Sequence, residues 1–288
     1  MSGPLPAEVG VLGGGRMGAG IAHAFLVSGS RVRVIERNPA EAEFAAERIR
    51  HALRASVQRG STTETLDVLE ARVRIGTDYA EFADCSLVVE AVPEDRALKS
   101  SSLRRVEAAL DDEACLASNT SSISITELAS QLIRPQRFLG LHFFNPVPAS
   151  ALVEVVTGAA TAPGLVADAC DWVAALGKTP IVVRDAPGFA SSRLGVALGL
   201  EAIRMLESGV ASAADIDAAM VLGYRHPVGP LRLTDLVGLD VRLGIAEYLH
   251  AELGERFTPP ELLRKKVAAG ELGRKTGQGF YAWPAATP

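Results

Sequence analysis

Residues 9–36 read VGVLGGGRMGAGIAHAFLVSGSRVRVIE, and the fold follows from that stretch. Residues 9–12 are a short apolar run, expected as a buried strand. The run enters Gly13-Gly14-Gly15-Arg16-Met17-Gly18, where Gly13, Gly15 and Gly18 match the G-x-G-x-x-G fingerprint. Met17, Ile21, Ala24 and Phe25 then recur at helical spacing, and a second apolar run at 32–35 ends in Glu36. A glycine-rich loop alone would be an ordinary turn. Strand, glycine turn, helix, strand and acid in this order describe a dinucleotide-binding unit. The glycines let backbone N–H groups approach a pyrophosphate at the helix N-terminus, and the acid accepts hydrogen bonds from ribose hydroxyls. Glu36 also favours NAD over NADP, because it would repel a 2′-phosphate; Arg33 and Arg37 beside it work against that preference.

Past this unit, Asn38-Pro39 opens a polar helix expected to run to about residue 59, where Gly60 ends it. Ser61 is expected to start a second helix reaching about residue 71. The hairpin carries Arg48, Arg50, Arg54 and Arg59, which suit a solvated face and a phosphate-binding arm equally well. Strands are expected at 73–75 and 87–89. The second leads into Glu90-Ala91-Val92-Pro93-Glu94 at a strand C-terminus, the edge where open α/β sheets hold ligands. Glu94 and Lys99 are there either nicotinamide-side contacts or surface charges beside a helix start. A strand at 115–117 ends in Ser118-Asn119-Thr120-Ser121-Ser122, either a capping loop or a set of hydrogen-bond donors at the same crevice.

Residues 138–156, FLGLHFFNPVPASALVEVV, are where chemistry is expected. Two apolar runs joined by a Pro-rich turn read as neighbouring strands. His142 then stands at a strand end, and Glu154, inside the next strand, reaches one ring nitrogen. That carboxylate fixes the tautomer and leaves the other nitrogen as a general base. Taken alone, the pair reads better as a satisfied core histidine with a buried acid. One more strand is expected at 180–183. Beyond Asp185-Ala186-Pro187-Gly188 only helical periodicity remains, so the boundary is placed to give domains 1–185 and 186–288. Long apolar helices are expected at 194–206 and 231–249, as cleft wall and dimer interface or as ordinary core.

The 288 residues are 48% hydrophobic and 22% charged, within the range of ordinary globular chains, and suit two domains. A formal charge of -5 argues against nucleic acid as the main partner. Cys85, Cys115 and Cys170 are odd in number and far apart, which suggests neither a disulfide nor a metal site but buried thiols in a reducing cytoplasm. The opening MSGPLPAEVG lacks the pattern of a signal peptide, and no apolar run is long enough for a bilayer.

The motifs VGVLGGGRMGAGIA, VVEAVPED, ASNTSSISITELA, GLHFFNPVP, LVEVV, DAPGFASSRL, HPVGPLRLTDLVGLD and LGRKTGQGFY occur in one order over 9–283. Through them the chain resembles the L-3-hydroxyacyl-CoA dehydrogenase family, in its single-function 3-hydroxybutyryl-CoA form. The resemblance implies an α/β, Rossmann-like NAD-binding domain with a helical hairpin insertion, followed by an all-helical C-terminal domain that dimerises. It implies that His142 is the general base with Glu154 as its partner, and that Ser121 and Asn145 hydrogen-bond the substrate or nicotinamide. Gly13, Gly15, Gly18, Glu36, Glu94 and Lys99 would hold NAD, with Arg16, Met17, Arg37, Ala91, Val92 and Asn119 lining the same site and Lys275 reaching it from the tail. The reaction implied is oxidation of the 3-hydroxyl of an acyl-CoA. Ser192 stands where the family carries asparagine near the substrate, Glu36 where it usually carries aspartate, and arginines replace lysines in the hairpin. These departures leave an acyl-carrier-protein thioester or a free hydroxy acid as alternative substrates. A catalytically idle NAD-binding protein is the third reading, and the presence of His142, Glu154 and Asn145 argues against it.

Overall fold

The computed structural model describes residues 5–284, so residues 1–4 of the N-terminal stretch read for a leader lie outside it. Two compact units divide the chain between Asp185 and Ala186. The first is built on an eight-stranded sheet: β1 (Glu8–Leu12), β2 (Arg31–Ile35), β3 (Val73–Gly76), β4 (Leu87–Glu90), β5 (Cys115–Ser118), β6 (Phe138–Phe143), β7 (Leu152–Thr157) and β8 (Thr179–Arg184). Their order across the sheet is β3-β2-β1-β4-β5-β6-β7-β8. β6 and β7 pair antiparallel, and every other neighbouring pair is parallel. The chain begins in mid-sheet, builds outward through β2 to β3, and resumes as β4 on the other side of β1. The order therefore reverses at β1, and the carboxyl ends of β1, β4, β5 and β6 open on one edge, the ligand edge of such sheets.

The inner strands β1, β4, β5 and β6 are near-continuous apolar, buried runs because both faces are covered, as parallel sheets require, whereas β3 and β8 at the two edges are not. All six residues of β6 are buried, His142 among them. The covering helices are α1 (Arg16–Val27), α2 (Pro39–Gln58), α3 (Leu66–Ala71), α4 (Arg96–Ala109), α5 (Ile125–Ala129) and α6 (Pro163–Ala175). Asn38 caps α2 by accepting from the Glu41 amide at 2.9 Å, with Pro39 in the first turn. The second helix of the hairpin starts at Leu66, later than the Ser61 the sequence suggested. Gly60 turns the chain with φ 66, Thr62 accepts from the Glu64 amide, and Thr65 provides the cap.

The second unit holds α7 (Ser191–Glu207), α8 (Ala213–Ala218), α9 (Pro230–Val237), α10 (Leu239–Leu253) and α11 (Glu261–Ala268). It has its own core, including Val196, Leu200, Ile203, Leu231, Leu239, Leu249 and Phe257. The single helix expected over 231–249 is two helices, because Gly238 adopts φ 107, which no helix accommodates. The tail folds back through bridges pairing Gly273 with Gln278 and Gln278 with Ala282. Buried Asp235 anchors that tail, accepting from the amides of Phe280 and Tyr281 and the Trp283 indole. No helix among the described residues is long and apolar enough to cross a membrane. Cys85 and Cys115 are buried, and Cys170 is half-buried rather than buried. Burial pushes the Cys85 thiol up to about 12 and raises the other two, so all three stay protonated at neutral pH.

Candidate active site

At the carboxyl end of β1, Gly13 takes φ 90 and turns the chain into α1. A Cβ on Gly18 would lie 1.7 Å from the Gly13 carbonyl oxygen, so only glycine lets the helix start this close to the turn. Gly15 differs: nothing stands within 4 Å of where its Cβ would be. Packing does not explain that glycine, whereas a ligand drawn against the backbone would. Gly15 caps α1 without a side-chain hydrogen bond, and the first turn holds no acid. Its leading N–H groups lack helical partners by construction and favour an anion. Arg16 and Met17 occupy that turn.

Glu36, just past β2, accepts from the Gly14 amide at 2.6 Å and the Arg37 amide at 3.2 Å. The carboxylate thus stands against the glycine turn, where a ribose would be held. Arg33 points away, toward Glu8 and Asp84. Arg37 is paired with Glu41 at 2.5 Å. The arginines beside Glu36 therefore have acids of their own. Of the hairpin arginines, Arg50 pairs with Glu70, and Arg48 reaches toward the Gly14 carbonyl at 3.4 Å. Glycine turn, uncapped helix start and acid together fit a dinucleotide.

The ends of β4 and β5 form one polar network. Glu90, fully buried, accepts from Lys99 at 2.8 Å, Ser118 at 2.5 Å and the Val92 amide at 2.7 Å. The Lys99 ammonium also donates to the Val92 carbonyl at 3.0 Å and faces Glu94 at 3.3 Å. Ammonium has three hydrogens and here three acceptors. Lys99 is 1% exposed and lies against Glu94. Glu94 in turn accepts from Thr120, the Ser121 and Ser122 amides and the Ser122 hydroxyl, at 2.6–3.1 Å. Burial works against its charge, but Lys99 and these hydrogen bonds outweigh it and hold the carboxyl below its ordinary range. Ala91 and Val92 shape the same loop, half-buried. Asn119 is buried, and its side-chain oxygen accepts from the Phe143 amide at 2.9 Å, tying β5 to the end of β6.

In the antiparallel β6–β7 pair His142 stands directly opposite Glu154. Side chains at such a position share one face and nearly touch. The Nδ1 atom lies 2.7 Å from a Glu154 oxygen, and the residues are 4% and 0% exposed. The Phe144 ring stands 4.5 Å from the imidazole, centroid to centroid. A buried carboxylate on Nδ1 sets the tautomer in which Nε2 accepts protons. Asn145 follows on the exposed start of the β6–β7 loop.

The first unit contains the glycine turn with Glu36, Glu94 with Ser121, and His142 with Glu154, followed by Asn145. Ser192 and Lys275 belong to the second unit. Ser192 lies in the first turn of α7, and the Lys275 ammonium contacts both oxygens of Asp240 at 2.6 Å. Two charged residues that hydrogen-bond these strand ends and loops escaped the sequence reading. Glu90 could have been noticed as a carboxylate closing an apolar strand. Lys178, after Gly177 at the end of α6, gives no signal, since a lysine beyond a helix C-terminus is commonplace.

Residues 8–186 match the 3-hydroxyacyl-CoA dehydrogenase NAD binding domain, and residues 188–283 match the 3-hydroxyacyl-CoA dehydrogenase C-terminal domain. The chain is 44% identical over 282 residues to the 3-hydroxybutyryl-CoA dehydrogenase of Mycobacterium tuberculosis, covering 96% of this chain and 98% of that protein. It is 42% identical over 277 residues to a probable 3-hydroxybutyryl-CoA dehydrogenase of Deinococcus radiodurans, covering 96% and 100%. Among solved structures, (S)-3-hydroxybutyryl-CoA dehydrogenase PaaH1 from Ralstonia eutropha matches with a TM-score of 0.92 at 38% identity, covering 97% of this chain and 99% of that one.

Proposed function

The chain belongs to the 3-hydroxyacyl-CoA dehydrogenase family, and from that premise we propose that it oxidises the 3-hydroxyl of an L-3-hydroxyacyl-CoA thioester to the 3-oxoacyl-CoA, reversibly and with NAD. The observation that carries the reading is the buried His142–Glu154 pair near the sheet edge that also bears the glycine turn. NAD, when bound, supplies the hydride acceptor for the substrate C3. Gly13, Gly15, Gly18 and the start of α1 hold its pyrophosphate, and Glu36 its ribose. Glu94 and Lys99 meet the nicotinamide side.

His142 takes the hydroxyl proton on Nε2, and the charge that develops on the ring is stabilised by Glu154 at Nδ1. Neither group is screened by much water, so the electrostatic gain is larger than it would be at a surface. Ser121 and Asn145 orient the substrate oxygens. Ser192 as a substrate residue and Lys275 as a cofactor residue rest on the family resemblance alone. The same reading includes a homodimer in the cytoplasm.

The test is turnover of 3-hydroxybutyryl-CoA with NAD, followed as NADH absorbance and repeated with longer acyl-CoA, carrier-protein and free-acid substrates. Highest kcat/KM on acyl-CoA is expected. A preference for the carrier-protein thioester or the free acid would replace the substrate and keep the chemistry, whereas no turnover on any of them would overturn the reading.

A further inference from the structure

The loop 144–151 carries the chain from β6 to β7, and so from His142 to Glu154. It is wound into a tight turn: the amides of Ala149 and Ser150 both donate to the Pro146 carbonyl, at 3.0 and 3.1 Å. On one side Val147 is buried against α1, where a Cβ on Gly20 would meet its side chain at 2.9 Å. From the other side comes Lys178, in the turn between α6 and β8. Its ammonium donates to the Val147 and Ser150 carbonyls, each at 2.6 Å. The next residue, Thr179, donates its amide to Ala151 at 2.6 Å. Lys178 is half-buried, and burial lowers its ammonium below the ordinary lysine range. Its partners are carbonyls rather than a carboxylate. A cation is retained there to gather acceptors that the turn leaves pointing the same way.

We propose that Lys178 is a positioning residue for the reaction: a charged clasp that holds the β6–β7 loop in the form presenting Asn145 to the substrate, with His142 and Glu154 kept in register. The inference rests on the reading of His142 and Asn145 given above. Lys178 touches neither residue in the hydrogen bonds described and acts through the loop. Charge-assisted hydrogen bonds are roughly twice as strong as neutral ones, so a neutral side chain would hold the turn less firmly.

The experiment compares Lys178→Met, Lys178→Arg, Asn145→Ala, the double variant Lys178→Met/Asn145→Ala, and His142→Gln as a reference. Each is read for kcat and KM on 3-hydroxybutyryl-CoA, NADH affinity by fluorescence, and Tm. Lys178→Met is expected to lose at least about tenfold in kcat, about 1.4 kcal/mol, while NADH affinity stays within about twofold. Lys178→Arg, which keeps charge and donors, is expected to recover most of the rate. In the Asn145→Ala background Lys178→Met should cost little more, because both act at one point.

The inference is overturned if Lys178→Met keeps its kcat, if its loss multiplies fully with that of Asn145→Ala, or if NADH affinity and kcat fall together. It is overturned equally if Asn145→Ala alone is silent while Lys178→Met is slow. Lys178→Gln, an uncharged donor, takes the place of Lys178→Met should the latter fail to fold. If His142→Gln and Asn145→Ala are slow and Lys178→Met is not, the clasp alone is lost; if His142→Gln is silent, the catalytic reading itself falls.

Discussion

Changing Glu154 to glutamine keeps the shape of the histidine pair and removes its charge. The Nδ1–oxygen separation is 2.7 Å, and the two side chains are 4% and 0% exposed, so water screens the interaction poorly. As Nε2 takes up a proton, positive charge spreads over a ring centred about 4 Å from the carboxylate. At an effective dielectric constant of about 20 that attraction is worth about 4 kcal/mol. A transition state with the proton half transferred would feel about half of it, about 2 kcal/mol, or roughly 30-fold in kcat. Removing the base itself with His142→Gln should cost about 10²–10⁴-fold. Both variants should keep NADH affinity, since neither residue holds the dinucleotide in this scheme. NADH absorbance gives kcat, and quenching or enhancement of NADH fluorescence gives affinity. If Glu154 works only through His142, adding Glu154→Gln to His142→Gln should cost almost nothing further. Near-wild-type turnover for Glu154→Gln, or full multiplication of the two losses in the double variant, would refute the assignment.

The glycine turn separates packing from ligand approach. Gly15→Ala, whose methyl meets nothing within 4 Å, should leave Tm unchanged and weaken NAD by at least about tenfold; equal NAD affinity would show that the space is not used. Gly18→Ala, 1.7 Å from the Gly13 carbonyl, should instead lower Tm, by an overpacking cost of about 1–3 kcal/mol or more. Glu36 against the Gly14 amide should make kcat/KM higher with NAD than with NADP, and Glu36→Ser should narrow the gap; steady-state kinetics with both cofactors checks this, and an unchanged ratio contradicts it. His23, on α1, is lowered from 6.5 to about 4 by burial, with Arg59 and Lys178 adding repulsion. The unfolded chain therefore binds this proton more readily than the folded one. Stability present above pH 6.5 should be lost as pH falls toward 4, by up to about 3 kcal/mol. Urea midpoints measured across that window should fall less for His23→Gln than for the wild type; parallel curves would exclude His23 as the cause.

The first unit was legible because its signals are local. The glycine turn, the apolar runs and the acid after the second strand each act within a few residues of themselves. The His142–Glu154 pair was legible for a related reason. One Pro-rich turn joins their strands, and an antiparallel register then puts His142 opposite Glu154. The helix expected over 231–249 failed because periodicity does not report φ, and Gly238 interrupts the backbone without disturbing the apolar pattern. The start of α3 failed in the same way: capping by Thr65 competes with several equally polar neighbours.

What the sequence by itself determined was the class of fold, the dinucleotide fingerprint and the family, since each is written in short ordered motifs. What only the tertiary structure decided was who partners whom. Lys99 is buried among Glu90 at the end of β4 and Val92 and Glu94 in the loop that follows, an arrangement its motif does not announce. Lys178 follows a helix in the sequence, and in the fold its ammonium donates to two carbonyls of the loop between β6 and β7. Lys99 meets acceptors 7 and 9 residues before it, whereas Lys178 meets loop carbonyls 28 and 31 residues before it. Hydrogen-bond donors carry no mark of their acceptor until the sheet brings the two together.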